Sequence, residues 1–392
     1  MRYTALTLLS CLILAGCATT QLAPVTTGDF IFEDDEKRLW LRAEEEQDVL
    51  NNSGLIYEDE ELDVYLKEIA KKIQPPEVFE HIPFEIKVIE SPYLNAFAFP
   101  TGVIYLHTGI LARMDNEAQL ATLLAHEMIH STHRHAVKQF RNIKNMTAFL
   151  ATVQVTIGTL GVYGDIASLL GTIGTLGAVT GYSRKHETEA DMEGLKRIVE
   201  AGYDPAEAPK LFMHLKEELE EEKRKEPFFF GTHPRLKERI QNCETFLETE
   251  YRGQRGGIKN SETFLKKIDK LILDNACLDL KLGRFKIAER GAAKYLSIGG
   301  NDPKAYCLLG EICRQRDEEG DREKAEEYYQ RAISLDPVYP DAHKGMGLIY
   351  YKENKTILAK KSLQTYLSLS PQASDRAYIE EYIRNCGEGE KQ

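Results

Sequence analysis

Three residues carry the strongest chemical signal in the chain: His126, Glu127 and His130, in the spacing H-E-x-x-H. An α-helix turns once every 3.6 residues, so positions four apart share a face and two imidazoles there can bind one metal ion. Glu127, beside the first of them, is placed to act as general base toward a water that such an ion activates. This is the pattern of a zinc hydrolase; its bland alternative is a surface helix with solvated histidines. The surrounding stretch reads as the helix that the chemistry requires. Asp115 or Asn116 supplies an N-cap, Glu117 suits the first turn, and Ala118 to Ala125 are good helix formers apart from Thr122. Leu120, Leu123, Leu124 and Met128 fall at helical spacing and should bury one side.

A catalytic zinc usually takes three protein ligands and leaves a fourth position for water. The extended arrangement H-E-x-x-H-x-x-G-x-x-H does not apply, because His133 stands at the glycine position and Ala136 at that of the last histidine. Seven residues of helix span about 10 Å, too far for His126 and His133 to share an ion. His133 and His135 are therefore expected behind the ligands or in solvent. Downstream, Glu187 and Asp191 lie four apart at the start of a charged amphipathic stretch and would present two carboxylates on one helical face. Glu187 could complete the zinc shell while Asp191 accepts the remaining ring N–H of a ligand histidine and fixes its tautomer. A solvated acidic face is the other reading of that pair.

The order of motifs resembles the M48 family of zinc metallopeptidases. The resemblance rests on His126 to His130 followed by Arg134-His135, on Ser183-Arg184-x-x-Glu187-x-x-Ala190-Asp191-x-x-Gly194, on Ala201 to Pro205, and on Thr232-His233-Pro234 before Arg239-Ile240. It spans roughly residues 35–245. The implied fold is a gluzincin-type domain, α+β and mostly helical, with a small sheet. One zinc ion per chain is implied, held by His126, His130 and Glu187, with Asp191 supporting a ligand. His233 would lie over the metal, stabilising the oxyanion or occupying the open position in a latched state.

Residues 1–16 read as a targeting segment: Arg2 gives a positive start and Thr4 to Leu14 an apolar run, short of the roughly twenty residues that span a bilayer. Leu14-Ala15-Gly16-Cys17 resembles a bacterial lipobox, so Cys17 is expected to carry lipid and anchor the chain to a membrane. Ala18 at the next position resembles the outer-membrane sorting pattern of Gram-negative bacteria, which places the expected location in the periplasm. Residues 17–34 are expected to be a tether. The chain has 50 basic and 62 acidic residues, a formal −12, and losing Arg2 leaves 49 against 62, or −13. That balance argues against a nucleic-acid partner and against electrostatic adhesion to anionic lipid.

Within the expected catalytic domain, residues 35–250, two helical patterns run from Glu36 to Ile73, the second over Glu60 to Ile73 and stopped by Pro75-Pro76. Strands are expected over Phe84–Ile89, Asn95–Phe99 and Gly102–Leu106. A small sheet beside the metal helix could bind an extended peptide by strand addition, with Asn95, Ala96, Phe97 and Ala98 bordering the cleft; an ordinary core hairpin is the alternative. Residues 147–183 contain a single formal charge, Asp165, and glycines throughout. They are expected to form an apolar helical hairpin acting as a lid, rather than two membrane spans.

A Gly-rich basic linker, residues 251–261, leads into a region, residues 262–385, where Asp302-Pro303, Asp336-Pro337 and Ser370-Pro371 recur every 34 residues. That is the tetratricopeptide period and predicts an α-solenoid of about three repeats, a fold that usually binds protein. From Gly310 to Ala325 the spacing is longer than in the neighbouring repeat, so the inter-helix turn around Asp317 to Asp321 should be extended. Besides Cys11 and Cys17, five cysteines remain, and an oxidising envelope would allow one or two disulfides. The combination of an M48-like domain with these repeats resembles envelope proteases of that family, and the resemblance implies a lipid-anchored zinc endopeptidase of the bacterial envelope that degrades misfolded or stalled outer-membrane proteins and aids their assembly. Its repeats would engage protein partners, the outer-membrane protein assembly machinery among them. The rival is a chaperone-like or adaptor lipoprotein that binds through its repeats while the protease site is latched.

Overall fold

The structure, a computed structural model, describes residues 22–25, 30–142, 182–222, 236–252 and 256–388. Cys17, His233 and the proposed lid up to residue 181 lie outside the described residues. The chain divides into two compact units, Met1–Phe264 and Leu265–Gln392.

In the first unit α1 (Asp34–Asn51), α2 (Glu60–Ile73) and a short α3 (Pro76–Phe79) precede the sheet. α2 starts where the Asp59 carboxylate accepts from the Leu62 N–H, and it buries Leu62, Tyr65, Leu66, Ile69 and Ile73 along one stripe. Pro76 ends that run but also opens α3, since the first turn of a helix has no use for its missing N–H. The strands are β1 (Glu85–Ile89), β2 (Ala96–Ala98) and β3 (Val103–His107), in spatial order β1-β3-β2. β1 runs parallel to β3 with Ile86 opposite Ile104, and β2 runs antiparallel with Phe97 opposite Tyr105. The Phe97 and Tyr105 rings stack at 5.4 Å. With Phe99, Leu39, Ala43 and Leu50 they form the core between the sheet and α1.

After α4 (Thr108–Arg113) comes α5 (Glu117–Thr132), the helix of the H-E-x-x-H motif. Asn116 is its N-cap, accepting from the Gln119 N–H. One apolar face was expected, yet all of α5 is buried, because α2, β2, α7 (Arg184–Glu200) and α8 (Glu207–Glu222) pack around it. Its start is held by buried polar groups: Glu117 accepts from the Tyr65 and Tyr203 hydroxyls, each at 2.6 Å, and Glu207 accepts from Asn116 and Gln119. Past the C-cap His133, Arg134 turns the chain at φ +57° into α6 (His135–Asn142). The unit also contains α9 (Leu236–Thr249), and α10 (Ser261–Lys267) straddles the division.

Part of the stretch expected as a tether is packed. Leu22 and Val25 are buried, the Val25 N–H donates to the Thr132 carbonyl at the end of α5, and Arg134 donates to the carbonyls of Ala23 and Ile31.

The second unit is helical throughout its described length: α11 (Asp269–Lys281), α12 (Phe285–Ser297), α13 (Pro303–Arg316), α14 (Asp321–Leu335), α15 (Pro340–Lys352), α16 (Thr356–Leu369) and α17 (Arg376–Glu388). α11–α12, α13–α14 and α15–α16 pack as pairs. Three residues join the helices of the first and third pairs, with Gly283 and Asn354 at positive φ, whereas four join the middle pair, with Asp317 and Gly320 left-handed. The 34-residue markers are not equivalent in place. Asp302 caps α13 and Pro303 is its first residue, but Asp336 and Ser370 are C-caps of the preceding helices. Cys243, Cys277, Cys307, Cys313 and Cys386 are free thiols, so the allowed disulfides are not formed. Among the described residues no helix is long and apolar enough to cross a membrane.

Candidate metal centre

α5 and α7 bring the candidate ligands together. His126 and His130 point their Nε2 atoms at one another across 3.1 Å, as two imidazoles on one helical face would. Glu187, in the first turn of α7, places its carboxylate oxygens 3.6 Å from His126 Nε2 and 3.4 Å from His130 Nε2. α7 can come this close because Gly194 faces α5: a Cβ there would lie 3.3 Å from the His126 backbone nitrogen. The Ser183 hydroxyl, accepting from the His186 N–H, sets the start of α7 so that Glu187 falls one turn before Asp191.

Zinc bonds of about 2.0–2.2 Å in a tetrahedral shell put ligand atoms roughly 3.3 Å apart, which is the spacing of this triangle. Among the described residues this is the one group of three metal-ligating side chains with all donor atoms within 4.8 Å of one another. Two neutral imidazoles and a carboxylate are a donor set suited to zinc, and the residues fit the ion that the sequence implies.

The electrostatics match that use. Burial, and then the positive charge of Arg239, lower the His126 pKa to about 4, keeping the imidazole neutral and free to ligate. Burial pushes the Glu187 carboxyl up to about 7. Asp191 is buried too, but Arg239 and the hydrogen bond from His126 outweigh that penalty and hold its pKa at about 2. His126 Nδ1 donates to Asp191 Oδ1 at 2.9 Å, the arrangement that fixes the tautomer with Nε2 free. Glu127 is fully buried on the same helix, and its charge, with that of Glu187, raises the Tyr182 pKa beyond the effect of burial.

Residues 57–246 match peptidase family M48, and residues 318–354 match a TPR repeat. The chain carries a peptidase family M48 domain. Over 187 residues it is 31% identical to mitochondrial metalloendopeptidase OMA1 of Schizosaccharomyces pombe, covering 47% of this chain and 52% of that one. Over 205 residues it is 27% identical to the beta-barrel assembly-enhancing protease of Escherichia coli K12, covering 50% and 40%. The chain thus spans about half or less of the length of these curated relatives.

Two residues of the M48 domain that shape the site, Arg239 and Tyr182, were given no role by sequence reasoning, and the structure also places those that were. Arg239, on α9, grips Asp191 through Nε at 2.9 Å and Nη2 at 2.5 Å, and its guanidinium lies 4.1 Å over the Phe212 ring. It was visible only as part of a motif. Tyr182 stacks on His130 at 3.9 Å. His135 is buried against His130 rather than solvated, and its own pKa is driven well down by burial. His133 is partly exposed beside Glu189, at 3.9 Å. Asn95 is buried, its side-chain amide without a hydrogen-bond partner among the described residues, and Ala96 to Ala98 are buried at the edge of the sheet. The Ser131 hydroxyl donates to the Phe99 carbonyl, so this strand lies along the metal helix.

Proposed function

We propose that the chain is a zinc-dependent endopeptidase of the bacterial envelope, with the triangle of His126, His130 and Glu187 beside the buried Glu127 as the observation that carries the reading. A zinc ion held by those three residues would supply Lewis acidity, lowering the pKa of water and polarising the scissile carbonyl. Glu127 takes the proton from the attacking water and returns it to the leaving amine. Asp191 and Arg239 hold His126 in its ligating tautomer. His233 is assigned to the oxyanion, or to the fourth ligand position in a resting state, by resemblance alone. Asn95 to Ala98 would align an extended substrate along the sheet edge; the buried amide of Asn95 and the tie between Ser131 and Phe99 support that placement.

The reading continues to substrate and place. The similarity to a beta-barrel assembly-enhancing protease supports misfolded or stalled outer-membrane proteins as substrates, with the repeats contacting the assembly machinery and Cys17 carrying a lipid anchor to the outer membrane. The TPR repeat favours a second reading, in which holding a partner matters more than cleaving it.

The test compares zinc content and cleavage of casein or an unfolded barrel protein between the parent and Glu127→Gln. About one zinc per chain in both, with cleavage only in the parent, is the expected outcome. Absence of zinc from metal-replete parent protein would sink the mechanism. Zinc without cleavage in either would move the weight to partner binding or a latched site, with His233→Ala as the discriminating variant.

A further inference from the structure

A zinc-binding histidine that ligates through Nε2 carries its hydrogen on Nδ1, and that hydrogen needs an acceptor to fix the tautomer and the ring plane. His126 has Asp191 for this purpose. His130 meets a second imidazole at that position. Its Nδ1 lies 2.9 Å from Nδ1 of His135, five residues on and fully buried.

Two imidazole nitrogens at that distance form a hydrogen bond only when one carries the hydrogen and the other does not. If His130 is to keep Nε2 free for a metal, its Nδ1 must be the donor. His135 Nδ1 is then the acceptor, and the hydrogen of His135 sits on Nε2. That atom faces Oε2 of Glu189 at 3.4 Å, and Glu189 is a half-buried carboxylate on α7. The polarity of the pair is therefore set by the metal site: with Nε2 of His130 kept for the ion, His135 accepts from His130, and its own Nε2–H faces the Glu189 carboxylate in a charge contact longer than a hydrogen bond.

The placement of His135 is built rather than incidental. The left-handed turn at Arg134 brings residue 135 back beneath α5, and Arg134 is itself fixed by buried hydrogen bonds to Glu36, the Nε one at 2.7 Å. The ring of His135 stacks on His186 at 4.3 Å and 9°, and His186 immediately precedes the candidate ligand Glu187. Tyr182 covers the face of His130 at 3.9 Å and 16°. Ring plane and edge of His130 are both defined.

We infer that His135 is a positioning residue for the metal centre, accepting from Nδ1 of His130 with its own Nε2 turned toward the Glu189 carboxylate, so that a buried imidazole orients the second zinc ligand as Asp191 orients the first. This rests on the zinc reading of the site.

The test measures zinc affinity of the whole chain by chelator competition, and the visible absorption of the cobalt-substituted protein, for the parent, His135→Leu, His135→Asn and Glu189→Leu. His135→Leu removes the acceptor and should weaken zinc binding about 10–100-fold, the usual loss when a ligand's hydrogen-bond partner is removed, with an altered cobalt spectrum. His135→Asn puts an amide oxygen near the position of the lost Nδ1 and should recover most of the affinity. Glu189→Leu leaves the buried rings in place and should cause a smaller loss in the same direction. Parent-like zinc affinity in His135→Leu would overturn the inference while leaving the zinc reading intact. So would equal losses in His135→Leu and His135→Asn accompanied by equal falls in melting temperature, which would mean packing alone. A parent chain that holds no zinc would overturn the zinc reading and this inference with it.

Discussion

The two units bury charge in different ways. In the repeat unit, Arg284 pairs with Asp279 and Arg316 with Asp321, each five residues away across the turn between two paired helices. These pairs close a local turn. In the peptidase unit, Arg239 reaches Asp191 over 48 residues of sequence, Arg134 reaches Glu36 over 98, and Asn116 reaches Glu207 over 91. Pairs of that second kind join segments that local propensity cannot bring together, and they converge on the start, the end and the flank of α5. The difference separates charges that finish a fold from charges that aim a site. Substitutions in the first unit should therefore change chemistry out of proportion to stability, and those in the second should do the reverse.

Glu127→Gln is the largest test of that contrast. Loss of a general base should cut cleavage by at least about a hundredfold. Because the variant also removes a fully buried carboxylate, thermal denaturation should show a melting temperature unchanged or raised. A lowered melting temperature would mean that Glu127 holds the fold as well, and the separation between the two kinds of buried charge would fail.

Arg239→Leu should breach the contrast on purpose. It strands Asp191 as a buried charge with much of its compensation gone, and breaking such a pair costs about 3–5 kcal/mol. Denaturant unfolding should register that loss, and chelator competition should register weaker zinc binding as His126 loses its well-oriented acceptor. If Arg239→Leu lost stability but kept parent-like zinc affinity, the grip on Asp191 would be structural only.

What the sequence made legible follows the same division. The N-cap at Asn116, the run of α2 and all three strands depend on neighbours a few residues away, and they fall within a residue or two of where the pattern puts them. The H-E-x-x-H face and the Glu187–Asp191 face are also local, since each is a four-residue step on a helix. Their meeting is not local. It depends on Gly194 letting α7 approach His126, which periodicity does not reveal. Arg239 was readable only as a motif letter because its partner lies 48 residues upstream. His135 was left open between support and solvent because nothing in its flanks signals the left-handed turn at Arg134. Leu22 and Val25 looked like tether, since two apolar residues in a polar stretch carry no period, yet both are buried. In the repeat unit the period was plain, but identical dipeptides serve different ends: Asp302 caps a helix start while Asp336 closes a helix end.

Acid should distinguish the two units next. Glu311 in the repeat unit is pushed upward by burial, but hydrogen bonds and charge from Arg314, with help from Gln315 and Tyr329, outweigh this and bring its pKa to about 2. The folded value lies below the unfolded one, so the stabilisation is fully present above about pH 4.5 and is lost as pH falls toward 2. Glu311→Gln should remove roughly 2 kcal/mol at neutral pH and flatten that part of the acid-unfolding curve. At the candidate metal centre the sign is opposite: Glu187, raised to about 7, holds a proton that a metal must displace. Zinc affinity should then fall by up to about tenfold per pH unit below 7. An affinity independent of pH between 7 and 5 would remove Glu187 from the ligand set.

The smallest effect tests the repeat unit's packing without touching charge. Tyr329 is fully buried between two glycines: a Cβ at Gly345 would lie 2.2 Å from the ring and one at Gly310 would lie 2.8 Å from it. Its hydroxyl donates to Glu311 at 2.7 Å, so the ring cannot slide away along its own axis without losing that bond. Gly345→Ala gains about 1 kcal/mol of helix propensity, but overpacking a filled site costs about 1–3 kcal/mol. With Gly310 behind the ring and Glu311 at its tip, the strain should exceed the propensity gain, giving a net loss of about 1–2 kcal/mol by denaturant unfolding. Zinc affinity and cleavage of a short peptide should stay at parent levels. Stabilisation by Gly345→Ala would mean that Tyr329 has room to move, and that the close approach of the repeat helices does not depend on glycine at this position.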